Sequence, residues 1–525
     1  MGEFGWITPR RRIGARVLSL IPTEVYLEIF SYLEPSEEAS PGDSRRIFTN
    51  LAPVCRFFCA HSISRMYRSL EFSGRDASSG SPSFCRLLLK GDSGADSCPA
   101  GVDFRFALQV AQSVRECTFR DWLDVPSASS FLKYYSKAVG HMPNIVCFHL
   151  ETTPITLPLI QAIARYKLTA TKSAIRTNLA ELSIHSCILD TSMSERDVVD
   201  LSLLALRNVE HFATWDIPPA IIRVRQLEVF RTDSWDYASY FIKRKHPDLR
   251  VLELHRVEDV SAVFAFLTKC PSITELTIGS VFTQSLSPLP SLAVPALPQI
   301  HALHVPPVLL RYFAERPLRK VSLGGAELRV AGPAGCPPSF PTLPLLTLQD
   351  VLPLKQSTAQ ITELHVHQHI YFLFLFHKHF KALEVLTLAY HHPNFATVPA
   401  ISSAARFESA IRAICSRWPS AASPPPLRAL HLDFGATDAA DLRSFLWDLR
   451  LQHELISSVL CTAFPRLTRV AFARFLTWQR GDAQADSAWR AFVPHRFRGF
   501  VCDKLARGAP YTDVSGCLAA LDFKY

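Results

Sequence analysis

The chain has 525 residues, of which 48% are hydrophobic and 20% charged, so it can bury far more apolar surface than a disordered protein of this length. A single compact core rarely extends beyond about 250 to 300 residues, so this length predicts several domains or an elongated repeat architecture. The formal net charge of +9 comes from basic residues scattered along the chain, a pattern that disfavours nucleic-acid binding.

Cysteine usage and the lengths of apolar runs bear on the compartment. The 13 cysteines form no C-x-x-C pair and no zinc-type spacing, and no asparagine begins an N-x-S/T sequon. No apolar stretch approaches the roughly 18 residues needed to cross a bilayer. We therefore expect reduced thiols, no membrane partner and a soluble chain in the cytoplasm, the nucleus or both.

Residues 1–17 are predicted to form a flexible basic terminus. Arg10, Arg11 and Arg12, with Arg16 close by, are the one dense basic cluster in the sequence. The cluster fits a nuclear-import signal or a patch for an acidic partner, and it equally fits a solvated terminus, which is the more common case.

Residues 18–72 are predicted to form a short helical module. Pro22 suits the first turn of a helix because its φ is already fixed near the helical value. Val25, Ile29 and Leu33 recur at four-residue spacing and therefore share one face, while other apolar residues point elsewhere. A module of this size buries too little to satisfy several apolar faces, so another protein or the rest of the chain should cover the remainder. A second helical segment is predicted around Leu51, Val54, Cys55 and Phe58.

Three strings in this module resemble the F-box motif. Leu20–Leu33 contains I-P-T-E-V and I-F-S-Y-L, Leu51–Phe58 contains V-C-R, and Tyr67–Phe72 contains Y-R-S-L. The motif itself has L-P-x-E-[IV], I-F-x-[YH]-L, a V-C-[RK] helix and a closing Y-R-x-[LI]. An insertion, residues 34–43, separates the two halves of the box. With the repeats that follow it, the module resembles the F-box proteins that are abundant in mushroom-forming fungi.

This resemblance implies an adaptor function. In the family, the box docks on a Skp-type adaptor and so joins a cullin-RING (SCF-type) ubiquitin ligase, while C-terminal repeats hold the protein substrate. The alternative is that the matching residues only pack the N-terminal cap of the repeats. Carried over by matching position, the adaptor-facing residues would be Ile21, Pro22, Val25, Ile29, Leu33, Val54 and Cys55.

A linker is predicted over 73–103, and residues 104–525 carry a recurring phrase. The phrase is an apolar residue, two others, a second apolar residue, one other and usually a third apolar residue, often with proline just ahead. Between copies, apolar residues at helical spacing predict helices, for example over 260–267 and 407–414. The clearest copies are Pro143–Leu150, Pro247–Leu254, Pro271–Ile278, Pro298–Val305 and Pro465–Phe472. Further copies start at Val114, Leu179, Val209, Leu227, Leu318, Ile361, Leu383 and Leu427, which makes 13 copies spaced by 18 to 44 residues.

A helix, a turn and a short strand form a unit that cannot bury its own apolar face, and stacking such units solves that problem. The phrase resembles the L-x-x-L-x-L strand of leucine-rich repeats, which implies parallel strands on a concave face and helices outside. The expected fold is therefore α/β, with the helical module followed by an irregular leucine-rich-repeat-type solenoid. The Pro- and Ser-rich insertions 285–298, 332–344 and 416–426 should leave the strand ladder as surface loops. The alternative is an ordinary α/β domain with unrelated strands.

The polar residue between the last two apolar positions of the phrase is the candidate substrate contact. With strands stacked at about 4.8 Å, histidines on alternate strands lie near 10 Å apart, too far to share one metal ion but suited to contacting a partner. The other interpretation, which is the more common case, is a polar residue that only faces water. The candidates are His149, Glu253, Thr277, His304, His365 and His431.

Motifs for catalysis are absent from the sequence. There is no P-loop, dinucleotide-binding, nucleophile-elbow or H-E-x-x-H pattern, and the carboxylates show no catalytic spacing. His365 and His367 would share a strand face, but no nearby residue completes a metal-ligand set. We therefore expect no enzyme activity, no cofactor and no metal site. The leading hypothesis is a substrate-recognition adaptor of a ubiquitin ligase, and the alternative is a repeat scaffold that binds a protein without a ubiquitin link.

Overall fold

The structure is a computed structural model. It divides into two units, Met1–Tyr240 and Phe241–Tyr525. It describes residues 12–13, 16–17, 21–33, 41–75, 83–92, 102–167, 173–190, 206–212, 227–244, 246–283, 297–323, 328–330, 351–367, 379–389, 404–416, 426–433, 449–473, 476–480 and 489–492.

The first unit begins with helices and continues with alternating strands and helices. Its helices are α1 (Thr23–Tyr32), α2 (Pro41–Leu51), α3 (Arg56–Met66), α4 (Ser83–Asp92), α5 (Val102–Ser113), α6 (Ala128–Val139), α7 (Leu157–Ala164) and α8 (Trp235–Ile242). Its strands are β1 (Arg12–Ile13), β2 (Arg16–Val17), β3 (Ser69–Ser73), β4 (Glu116–Arg120), β5 (Cys147–Glu151), β6 (Pro154–Ile155), β7 (Arg165–Lys167), β8 (Ser173–Ile175), β9 (Glu181–His185), β10 (Ile188–Leu189), β11 (Asn208–Phe212) and β12 (Val229–Thr232).

A parallel sheet organises the first unit. Strands β3, β4, β5, β9, β11 and β12 pair with their neighbours in chain order. Because successive side chains of a strand point to opposite faces, the register buries one apolar row and leaves a polar face on the other side. The aligned buried row is Leu70, Cys117, Phe148, Leu182, Val209 and Phe230.

The second unit has the same alternation with shorter helices. Its strands are β13 (Val251–Val257), β14 (Glu275–Thr283), β15 (Ala302–His304), β16 (Lys320–Ser322), β17 (Leu328–Val330), β18 (Glu363–His367), β19 (Val385–Ala389), β20 (Ala429–Asp433), β21 (Arg469–Ala473), β22 (Leu476–Gln479) and β23 (Arg490–Phe492). Its helices are α9 (Val260–Leu267), α10 (Pro307–Leu310), a 3-10 helix (Leu352–Gln356), α11 (Ala404–Ser416), α12 (Leu449–Glu454), a π-helical turn (Leu455–Leu460) and α13 (Cys461–Ala463).

The sheet of the second unit is also mostly parallel. Eight strands pair in parallel and in chain order: β13, β14, β15, β16, β18, β19, β20 and β21. Strand β17 pairs in parallel with the end of β14. Strands β22 and β23 extend the sheet beyond β21 as antiparallel strands. The apolar side chains of this sheet align in a row that lies in the core. The row is Leu252, Leu276, Leu303, Val321, Leu364, Leu386, Leu430 and Val470.

The prediction of a mixed α/β chain with parallel strands is confirmed. Each of the 13 predicted copies of the phrase coincides with a strand, so the phrase is a reliable strand signal in this chain. In most copies the strand begins two residues after the first apolar residue, which is buried, as Leu249 is before β13. The copy assigned to Val209 is out of phase, because the buried residue two positions before β11 is Leu206.

Several predicted boundaries fall differently in the structure. The segment predicted as a linker, 73–103, contains α4 and the first residues of α5. Residues 69–73, which sequence analysis assigned mostly to the helical module, form β3, the first strand of the parallel sheet. The basic terminus holds the short antiparallel pair of β1 and β2. Most of the insertion at 34–43 and nearly all of the three Pro- and Ser-rich insertions lie outside the described residues.

One buried cation stabilises the helix ends of the first unit. Arg176 is fully buried, and its guanidinium donates hydrogen bonds to the carbonyl oxygens of Val139 (3.2 Å), Ala162 (3.2 Å) and Met142. The last carbonyls of a helix lack partners within the helix and carry partial negative charge. Val139 ends α6 and Ala162 lies in the last turn of α7, so one side chain serves the C-terminal ends of both helices.

Candidate docking site

Aromatic side chains build a small core within the N-terminal module. Tyr26 and Phe30, one turn apart on α1, pack with Phe48 of α2 and Phe57 of α3. The ring centroids of Tyr26 and Phe57 lie 5.5 Å apart, and those of Phe30 and Phe58 lie 5.2 Å apart. Aromatic contacts at these distances hold three short helices in fixed positions. Partly buried residues that pack around this core are Ile21, Leu33, Leu51, Cys55, Phe58 and Met66.

Another side of α1 exposes an apolar stripe. Val25 is 44% exposed, Ile29 49% and Tyr32 80%. Their spacing of four and then three residues places them on one face of the helix. Single exposed apolar residues are ordinary on a protein surface, whereas an aligned set on a helix that already has a packed face is a candidate interaction surface. We call these three residues the α1 stripe.

The segment predicted as one second helix is broken, and that prediction is wrong. Helix α2 ends at Leu51 and α3 starts at Arg56, with a turn between them. Pro53 explains the break, because proline has no N–H to donate and disfavours helical backbone in the residue before it. Cys55 caps α3, since its Sγ accepts a hydrogen bond from the backbone N–H of Phe58 at 3.5 Å.

The structure divides the seven predicted docking residues into two groups. Three of them, Ile21, Leu33 and Cys55, are partly buried and pack on the aromatic core. The other group faces outward. It consists of Pro22, Val25, Ile29 and Val54, and Val54 is 61% exposed in the turn before α3.

Sequence reasoning missed three exposed apolar side chains in the module. Tyr32 belongs to the α1 stripe, and its i+7 spacing from Val25 would have identified it. Leu27 (41% exposed) projects from another side of α1, and Ile47 is exposed on α2. Nothing in the local pattern distinguishes these last two from core residues, because exposure depends on which side the neighbouring helices cover.

The predicted substrate contacts lie on the polar faces of the two sheets. His149 belongs to the first unit, where it aligns with Thr118 and Ser183. The other five align in the second unit. The strands between them add Ser322 and Thr387, which hold the same position in their copies of the phrase but were not among the chosen candidates. This second-unit row is Glu253, Thr277, His304, Ser322, His365, Thr387 and His431.

Charges on the polar face of the first unit pair with one another. His149 Nε2 lies 3.6 Å from Glu116 Oε1. Glu210 is contacted by Arg231 and lies 3.6 Å from His185 Nε2. Hydrogen bonding from His185 and then from Arg231 lowers the pKa of Glu210 to about 2, so this carboxylate stays charged at neutral pH. The polar groups of this face are therefore largely satisfied within the unit.

Hydrogen bonds also form along the second-unit row. Ser322 Oγ and His365 Nδ1 are 3.0 Å apart, and Glu253 contacts His255 at 2.6 Å. Burial, followed by the charge of Arg469, lowers the pKa of His431, so its imidazole is neutral at physiological pH. The row thus presents hydroxyl and imidazole groups that can both donate and accept hydrogen bonds.

Within the described part of the chain, no three His, Cys, Asp or Glu side chains are grouped closely enough to hold a metal ion. No helix among the described residues is sufficiently long and apolar to cross a bilayer. The nine described cysteines are free thiols. The chain matches no protein-family model and no curated protein.

Proposed function

We propose that the chain is a substrate-recognition adaptor of a cullin-RING (SCF-type) ubiquitin ligase. In this proposal the N-terminal module is an F-box that docks a Skp-type adaptor. The observation that carries it is the α1 stripe of Val25, Ile29 and Tyr32, exposed on a helix whose other face is packed into an aromatic core. Val54, which is also exposed, lies in the segment that resembles the V-C-[RK] part of the box.

The energetics favour covering this stripe. Fully burying a Val or Ile side chain is worth roughly 1.5 to 3 kcal/mol, and about half of that remains to be gained at Val25 and Ile29 because each is about half exposed. Conversely, a carboxylate placed there would be harmless in the free chain but would lose its hydration in an apolar interface. That loss costs several kcal/mol, enough to reduce affinity by a hundredfold or more.

The remainder of the chain is proposed to be a leucine-rich-repeat-type solenoid that presents the substrate. Strands that pair in parallel and in chain order, with one apolar residue buried two positions ahead of most of them, support this assignment within each unit. Such an adaptor performs no bond chemistry. It acts by holding a ligase and a substrate together, which raises their effective concentration.

The test is co-purification of the full chain with a Skp-type adaptor. We expect the unaltered chain to capture the adaptor, and a Val25→Asp, Ile29→Asp double variant to lose capture. Leu27→Asp is the control, since it places one carboxylate on another exposed side of α1, and it should retain capture. The Ile29→Asp single variant, which adds the same single charge within the α1 stripe, should weaken capture. Leu33 is left unaltered because it packs on the aromatic core, so a charge there would unfold the module.

Circular dichroism and the thermal midpoint must show that all three variants remain folded. If the folded, unaltered chain captures no adaptor, the ligase proposal is discarded and a repeat scaffold without a ubiquitin link remains. If the double variant captures the adaptor as well as the Leu27→Asp control does, the α1 stripe is not the docking surface.

A further inference from the structure

A groove crosses the polar face of the sheet in the second unit. It has a volume of about 370 Å³ and runs over β14, β15, β16, β18, β19 and β20. This volume lies in the range of small binding clefts, and on a polypeptide partner it corresponds to a few side chains. All members of the second-unit row except Glu253 line the groove, and the charged side chains of Glu275, Lys320 and Glu363 line it as well.

The lining alternates between two chemical groups. Hydroxyls and imidazoles follow one another strand by strand, so each hydroxyl has an imidazole about 4.8 Å away on the next strand. The alternation fills the floor with small hydrogen-bonding groups and keeps like groups about 10 Å apart, beyond the reach of one metal ion. The order is Thr277, His304, Ser322, His365, Thr387 and His431.

One buried atom in this lining still lacks a partner. Nε2 of His431 is buried and makes no hydrogen bond to any described residue. A buried polar atom left without a partner costs about 1 to 3 kcal/mol. The groove therefore contains a hydrogen-bonding group that the described residues leave unused.

The charges at the groove determine which charge a ligand should carry. Glu275 is exposed at the groove and makes no ion pair among the described residues, whereas Glu363 is paired with Lys320 at 3.3 Å. The lining residues therefore carry one uncompensated carboxylate, which lies at the β14 end. The positive charge of Arg469, which is not a lining residue, acts on His431 at the opposite, β20 end. The β14 end is thus the part of the groove that favours a cation. A cationic side chain complements this carboxylate, and an anionic one is repelled by it.

We propose that the groove binds an arginine-bearing segment of the protein substrate, an inference that rests on the substrate-adaptor function proposed above. A guanidinium is planar and offers five N–H donors in a fixed arrangement. At the β14 end of the groove, such a fork can use the carboxylate of Glu275 together with the neighbouring acceptors of Thr277 and His304. The acceptors on the later strands lie too far away for the same side chain and are left to other polar groups of the segment. Lysine, with a compact charge and three donors, fits the same charge but fewer of the acceptors.

Fluorescence anisotropy with three labelled synthetic peptides tests the proposal on the full chain. The peptides share a Gly-Ser backbone and carry Arg, Gln or Glu at the same alternate positions. We expect the Arg peptide to bind and the Glu peptide to show no binding. Glu275→Lys should weaken binding of the Arg peptide at least tenfold, because it puts a like charge at the groove. Glu454→Lys is the matched control, since it makes the same charge change in the same unit outside the groove.

Two results would overturn the proposal: binding of the Arg peptide no tighter than that of the Gln or Glu peptide, or an equal effect of the Glu275→Lys and Glu454→Lys changes. Capture of the Skp-type adaptor is measured with the same preparations. Loss of peptide binding with intact adaptor capture refutes only the groove, whereas intact peptide binding without adaptor capture refutes only the ligase function.

Discussion

Replacing Arg176 should destabilise the first unit far more than replacing an exposed arginine. The perturbation is Arg176→Met, which keeps an unbranched side chain of similar length but removes the charge and every donor. The carbonyls of Val139, Met142 and Ala162 then lose their side-chain partner at the ends of two helices. Arg207, which is exposed, provides the control.

The magnitude follows from the number of contacts and their burial. Hydrogen bonds to a charged group are worth about 1.5 to 3 kcal/mol each, and three that share one side chain are not additive. The methionine refills most of the space, so little of the loss comes from a cavity. We expect Arg176→Met to lower the free energy of unfolding by about 3 to 5 kcal/mol, similar to breaking a buried charge pair.

Urea unfolding followed by far-UV circular dichroism measures this difference. Arg176→Lys keeps the charge with three donors and should lose an intermediate amount. Arg207→Met should change stability by about 1 kcal/mol or less, because its 3.7 Å contact with Glu228 is an exposed ion pair. The reasoning is refuted if Arg176→Met and Arg207→Met have the same effect, since the buried guanidinium would then add nothing to the helix ends.

Two further predictions concern acid sensitivity and strand packing. Burial of His246, which stacks 3.8 Å from the Phe241 ring, lowers its pKa to about 4, so the unfolded chain takes up a proton below about pH 6.5 that the folded chain refuses. The free energy of unfolding of the second unit should therefore fall by up to about 3 kcal/mol as the pH is lowered from about 6.5 to 4. Urea unfolding midpoints measured across this range should show the fall, and in the His246→Phe variant they should fall less with pH. A Cβ on Gly279 would lie 2.5 Å from the carbonyl oxygen of His255, so Gly279→Ala should cost about 1 to 3 kcal/mol, whereas Gly140→Ala, whose nearest contact is 3.1 Å, should cost less in the same assay.

The strands could be predicted from sequence because each has the same short pattern of apolar residues. An apolar residue such as Leu383 is buried just before the strand, and Leu386 and Leu388 of β19 then point into the core. This spacing is a property of one short segment, so it can be recognised without knowing the neighbours. Strand β3 was missed as part of the sheet because its residues also complete the F-box resemblance.

The candidate sites could be predicted only in part, because exposure and register depend on neighbours in space. Leu33 shares the helical spacing of Val25 and Ile29, yet packing on the aromatic core partly buries it. Ser322 and Thr387 occupy the candidate position in their own copies of the phrase, but which residues stand beside them follows from strand pairing across sequence gaps of variable length, which no single copy encodes. The groove therefore emerges from the paired strands together.

Hydrogen exchange of the full chain, with and without a saturating Skp-type adaptor, tests the docking claim most directly. The proposal requires slower exchange of backbone amides in α1, over residues 23–32, and in the turn at 52–55 when the adaptor is added. Amides in the strands of the second unit should be unaffected. Unchanged exchange in both N-terminal segments, or slower exchange confined to the strands, would contradict docking through the α1 stripe.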